Sequence, residues 1–99
     1  MSLHTLNKAD PGHPAARCCL SAVSTGDALL LIEDGCYALL RDDFTASLPA
    51  CIDPARNLYA LAEDLAVRGI SDKIPSAINV IDYTEFVGLC LTHDRVINW

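Results

Sequence analysis

At 99 residues the chain is long enough for one domain, 1–99, that buries roughly two thirds of its unfolded surface, and too short for two independent cores. Hydrophobic residues make up 52% and charged residues 20%, which excludes a disordered tail and is apolar for a small monomer, so a partner-facing surface is expected. With 7 Lys and Arg against 13 Asp and Glu the formal charge is -6, and no basic cluster supplies the footprint of direct nucleic-acid or anionic-membrane binding.

Leu3-His4-Thr5-Leu6 alternates and is followed by the turn signal Asp10-Pro11-Gly12, which predicts a short first strand and a loop. Pro14 suits a first helical position, where its missing N–H costs nothing. Ala15, Cys18, Cys19, Ala22 and Val23 then recur at i, i+3, i+4, i+7 and i+8, one apolar stripe along a helix, with Gly26 as its C-cap. Asp27 leads into Ala28 to Ile32, a continuous apolar run suited to a parallel strand covered on both faces. It is the longest such run and falls far short of the ~20 residues that span a bilayer; the polar N-terminus does not read as a signal peptide, so a cytoplasmic location is expected. Glu33-Asp34-Gly35 ends this strand, and Cys36 to Leu40 reads as a helical turn. Arg41 to Asn57, punctuated by Pro49 and Pro54, reads as irregular or briefly helical. Leu58 to Leu61 is the third strand, followed by a short helix with Glu63 and Asp64 at its start and Arg68-Gly69 at its end. After a linker from Ile70 to Ser76, Ala77 to Ile81 is the fourth strand. Asp82 and Glu85 form a capping box for a last helix whose stripe is Tyr83, Phe86, Val87, Cys90 and Leu91, and Val96 to Trp99 is a terminal edge strand. Strands alternating with helices predict right-handed crossovers and a small open α/β sheet of about five strands.

Ligands of such sheets bind beyond the carboxyl ends of the strands, here the turns carrying Asn7 and Lys8, Glu33 and Asp34, Glu63 and Asp64, and Asp82. This set is mostly acidic and includes no Gly-rich phosphate loop, so nucleotide binding is disfavoured and the carboxylates read first as solvated turns and helix starts. The 5 cysteines are odd in number, lack a CxxC pair and are expected as thiols; His4, His13 and His93 are not spaced with them as zinc ligands. No cofactor and no metal are expected. A sulfur nucleophile needs a thiolate, and Cys19 stands near the start of the first helix, with Arg17 two residues before it and His13 just outside. The same residue belongs to the apolar stripe, where a thiol packs as a small hydrophobe. Cys36, Cys51 and Cys90 read as packing, His4 as a satisfied core histidine, and His93 as a partner of the last helix's C-terminal dipole.

Taken together, Leu3-His4-Thr5-Leu6, Gly26-Asp27 through Glu33-Asp34-Gly35, Leu58-Tyr59-Ala60-Leu61-Ala62-Glu63-Asp64-Leu65-Ala66-Val67-Arg68-Gly69, Ile81-Asp82-Tyr83-Thr84-Glu85-Phe86-Val87 and the closing Trp99 resemble the TusB/DsrH family in order and spacing. The resemblance covers nearly the whole chain apart from about residues 8–17 and 41–57. It implies a small three-layer DsrE-like, flavodoxin-like fold. It also implies a mainly architectural, noncatalytic subunit of a heterohexameric sulfur-relay (sulfurtransferase) complex of the TusBCD or DsrEFH type. TusC/DsrF-like and TusD/DsrE-like subunits would be its partners, with TusA-like and TusE/DsrC-like sulfur carriers acting through the complex. Such complexes deliver persulfide sulfur for tRNA wobble uridine 2-thiolation or serve dissimilatory sulfur oxidation. DsrH members of sulfur oxidisers can carry a cysteine in the first helix, and Cys19 matches that position; TusB members can have an apolar residue there instead, so Cys19 pulls toward the sulfur-oxidation branch. The alternative is therefore a thiol sulfurtransferase carrying a persulfide on Cys19. A third possibility is a homo-oligomer when isolated.

Overall fold

In the computed structural model, which describes Met1–Trp99, five strands form one wholly parallel sheet in the order β4-β3-β2-β1-β5. They are β1 (Ser2–Leu6), β2 (Ala28–Leu31), β3 (Leu58–Leu61), β4 (Asn79–Ile81) and β5 (Arg95–Asn98). Between them lie α1 (Pro14–Ala22), a 3₁₀ segment Glu33–Leu40, α2 (Asp42–Ser47), α3 (Ala62–Val67) and α4 (Tyr83–Thr92). The α/β class, the five strands and the terminal edge strand agree with expectation.

The connections from β1 to β4 all step the same way across the sheet, so right-handed crossovers keep their helices on one face; the return from β4 to β5 crosses to the far edge and puts α4 alone on the other. The two faces are filled unequally. Fifteen buried residues form the core beneath α1, the 3₁₀ segment, α2 and α3, among them Leu6, Cys19, Leu29, Leu31, Phe44, Leu58 and Leu65. Only Leu3, Ala28, Leu30 and Ile81 form the core on the α4 side, with Phe86, Leu89 and Cys90 packed against it while still half-exposed. β2, central in the sheet, is buried at every position, as its unbroken apolar run requires.

Several local expectations are revised. α1 ends at Ala22 with Val23 as its cap, and Gly26 serves instead in the following turn, where φ is +92°. The buried side of α1 is Ala16, Cys19 and Val23, while Cys18 and Ala22 face solvent, because the helix is rotated by about one residue from the stripe read in the sequence. The capping box of α4 is present, Asp82 accepting from the Glu85 N–H and Glu85 from the Asp82 N–H. Yet α4 has no buried residue at all, and its predicted stripe divides into an inner half, Phe86 and Cys90, and an outer half, Tyr83, Val87 and Leu91, which are exposed.

Candidate functional site

The carboxyl ends of β1 and β2 form a cleft of about 540 Å³ lined by Asn7, Lys8, Glu33 and Asp34, together with Asp10, His13, Tyr37 and Arg68. Its floor is tightly built. Gly35 packs so closely on β1 that a Cβ there would lie 2.1 Å from the Leu6 carbonyl oxygen. Glu33 has φ +50°, a left-handed conformation unusual for a residue with a side chain, and its N–H donates to the Asp64 carboxylate at 2.6 Å. Strain at the end of a central strand invites a functional reading. Several of its polar groups, however, already have partners within the chain. Arg68 pairs with Asp34 at 3.0 Å and lies near the Tyr37 ring, Lys8 donates to Asn7, and the His13 ring nitrogen accepts from the Ala15 N–H as the cap of α1. Glu63 and Asp82 stand at the starts of α3 and α4, as the helix-start and capping-box readings expect, and do not line this cleft.

A second open cleft, of about 600 Å³, lies at the opposite, amino ends of β2 and β3 and is lined in part by Asp27, Cys51, Arg56, Asn57 and His93. The Cys51 thiol donates to the Val23 carbonyl, and His93 caps α4 by donating from Nδ1 to the Leu89 carbonyl at 2.7 Å, the dipole role expected of it. Neither cleft brings a nucleophile within hydrogen-bond reach of a base, and no three His, Cys, Asp or Glu side chains are gathered as a metal site.

Between the sheet's edge and its core lies a polar chain that the spacing of the sequence conceals. Trp99 Nε1–H donates to His4 Nδ1 at 3.1 Å, and His4 Nε2 meets Asp27 Oδ2 at 3.0 Å. An indole N–H only donates, so Nδ1 must accept and Nε2 must carry the proton, which makes His4 a neutral imidazole donating to Asp27. Asp27 also accepts from the Ser2 and Ser24 N–H groups. Burial pushes its carboxyl up, but these two N–H groups and His4 together hold it below its usual 3.8. His4 is 1% exposed and has no substrate-facing side, so the chain ties β1, β2 and the C-terminus together as structure, in line with a satisfied core histidine.

Cys19 is fully buried in the main core, and burial pushes its thiol up to about 12, away from the thiolate a sulfur acceptor needs. Arg17, expected to assist it, faces solvent and lines a shallow groove with Cys18 instead. Cys36 is likewise buried, its thiol raised to about 11 mainly by burial and then by the nearby Asp64 carboxylate. All five cysteines are free thiols, and Cys18 alone is exposed. What the surface does offer is apolar: Tyr83, Val87 and Leu91 on α4 are 54%, 57% and 81% exposed. No helix is long and apolar enough to cross a membrane.

The fold and sequence have clear relatives. Residues 11–96 match the family described as DsrH like protein. The chain is 37% identical to Protein TusB of Escherichia coli K12 over 97 residues, covering 98% of this chain and 99% of that one. Protein TusB of Pectobacterium atrosepticum is 37% identical over 98 residues, again covering 98% and 99%. Among solved structures, the ychN protein from E. coli superposes with a TM-score of 0.73 at 19% identity, covering 99% of this chain and 97% of that one. Protein Tm0979 from Thermotoga maritima gives 0.61 at 26% identity, covering 92% of each. With a family match across most of its length and curated relatives over nearly all of it, the chain belongs to the TusB/DsrH family.

Proposed function

We propose that the chain, acting as one domain over residues 1–99, is a mainly architectural subunit of a cytoplasmic sulfur-relay complex of the TusBCD/DsrEFH type. Its partners are TusC/DsrF-like and TusD/DsrE-like subunits, and TusA-like and TusE/DsrC-like carriers bring and remove sulfur through the assembled heterohexamer. The observation that carries this reading is the pairing of a buried Cys19 with an exposed apolar helix: reactive sulfur chemistry is poorly served by this chain, and association is well served. The Arg68–Asp34 ion pair and the Lys8–Asn7 hydrogen bond in the carboxyl-end cleft point the same way. The TusB name carried by the curated relatives favours the tRNA wobble uridine 2-thiolation branch over sulfur oxidation. The thiol sulfurtransferase alternative on Cys19 finds no supporting geometry, since its sulfur is sealed in the core.

Co-expression with one TusC/DsrF-like and one TusD/DsrE-like subunit, followed by sizing and native mass spectrometry, tests the proposal. A stoichiometric complex that carries sulfane sulfur on another subunit is expected. Failure to co-elute at any ratio overturns it, and a one-sulfur adduct on Cys19 of the assembled complex would move the chemistry to this chain.

A further inference from the structure

From the outer face of α4, we infer that this helix is a close-packing contact for a helix of a non-identical sister subunit carrying Lys or Arg at one end of the contact. The inference deepens the proposed function and rests on it.

On a 3.6-residue helix, positions four apart line up along one ridge. The exposed side of α4 carries two such ridges side by side: Tyr83, Val87 and Leu91, which are large and apolar, and Thr84, Gly88 and Thr92, which are small. Gly88 has no use within the chain. A Cβ added there would meet nothing within 4 Å, its backbone is ordinary α-helix without positive φ, and glycine is among the least favourable residues in a helix interior. Its missing side chain matters only to something that approaches from outside, and with the apolar ridge beside it that something is another packed surface.

Charge indicates which surface. Glu63, Asp82 and Glu85 surround the N-terminal end of α4, and none is paired with a cation of this chain. The Glu63 Oε2 atom accepts from the Tyr83 N–H, while its Oε1 is shut off from solvent without any donor. α4 itself contains no Lys or Arg. A second copy in antiparallel contact would bring Arg95, His93 and the Asp94–amino-terminus ion pair toward these three carboxylates, too little positive charge to balance them. A chain of net charge -6 therefore pairs poorly with itself here and well with a partner that supplies the cation.

The test uses the co-expressed complex with the TusC/DsrF-like and TusD/DsrE-like subunits. Gly88→Leu places a branched side chain on the proposed contact while leaving the monomer free to fold, so the isolated variant is expected to melt no lower than wild type. Its affinity for the sister subunits is expected to fall by about tenfold to a hundredfold, the range of an overpacked contact. Gly88→Ala should raise the monomer's melting temperature and weaken assembly by less. Glu63→Gln should weaken assembly and flatten its dependence on salt. A wild-type complex that forms and is matched in affinity by Gly88→Leu refutes the α4 contact while leaving the proposed function intact; a wild-type chain that never assembles removes both. A self-dimer of the isolated chain that Gly88→Leu dissolves would refute the non-identical partner.

Discussion

Alkylation of the two adjacent cysteines separates a packing thiol from a sulfur carrier. At pH 7 a thiol of ordinary value 9.0 is about 1% thiolate. With Cys19 pushed up to about 12 by burial, the fraction is about a thousandfold lower, even before the core excludes the reagent. Cys18 faces solvent and acts as an internal standard one residue away. Timed exposure of the native chain to iodoacetamide, with fragmentation mass spectra that distinguish the two positions, is expected to show Cys18 modified about a thousandfold or more faster than Cys19. In strong denaturant the two rates should converge. The same shift has a signature in stability. The unfolded thiol releases its proton near 9.0 and the folded one only near 12, so between these values the folded state binds the extra proton and stability falls as pH rises. The slope approaches about 1.4 kcal/mol per pH unit, with Cys36 adding a similar loss up to about 11, and there is no such dependence below pH 9. Cys19→Ala should remove its own share of that alkaline slope. Native Cys19 reacting within tenfold of Cys18 would refute the assignment of Cys19 to packing.

Three further substitutions probe the frame that holds the surface in place. Gly35→Ala drives a Cβ into the Leu6 carbonyl and is expected to cost about 3 kcal/mol or more in thermal unfolding, so an unchanged melting temperature would contradict the packing described. Asp27→Asn turns an amide N–H toward N–H donors and should cost about 2–3 kcal/mol in urea titration. Because the Asp27 carboxyl is held below 3.8, its contribution is present above that pH and is lost as pH falls through the lower folded value; the acid limb of wild type should therefore be steeper than that of Asp27→Asn. Trp99→Phe keeps an aromatic ring but leaves His4 Nδ1 without its donor, with an expected loss of about 1–2 kcal/mol at unchanged denaturant slope.

Much of the architecture was legible in the sequence because each signal there is local. β3 at Leu58–Leu61, the Pro14 start of α1 and the Asp82/Glu85 capping box follow from propensity, ring chemistry and side-chain reach over three residues. The family resemblance was equally visible, since it rests on the order of such segments. Helix rotation was not legible: a stripe containing both Cys18 and Cys19 fits two facings, and only the packing of Ala16, Cys19 and Val23 against the sheet chooses one. The His4–Trp99 pairing joins residues 95 positions apart, brought together because β5 returns to lie beside β1. The outer ridge of α4 could not be told from core by periodicity, because its apolar arc is wider than the sheet surface one helix can cover. Residue order thus determined which segments are strands and helices, through short-range chemistry. Tertiary packing decided the rest: α1 and the 3₁₀ segment laid on one face seal Cys19 and Cys36, β5 beside β1 brings Trp99 to His4, and the crossover that leaves α4 alone on the other face leaves an apolar ridge for a partner.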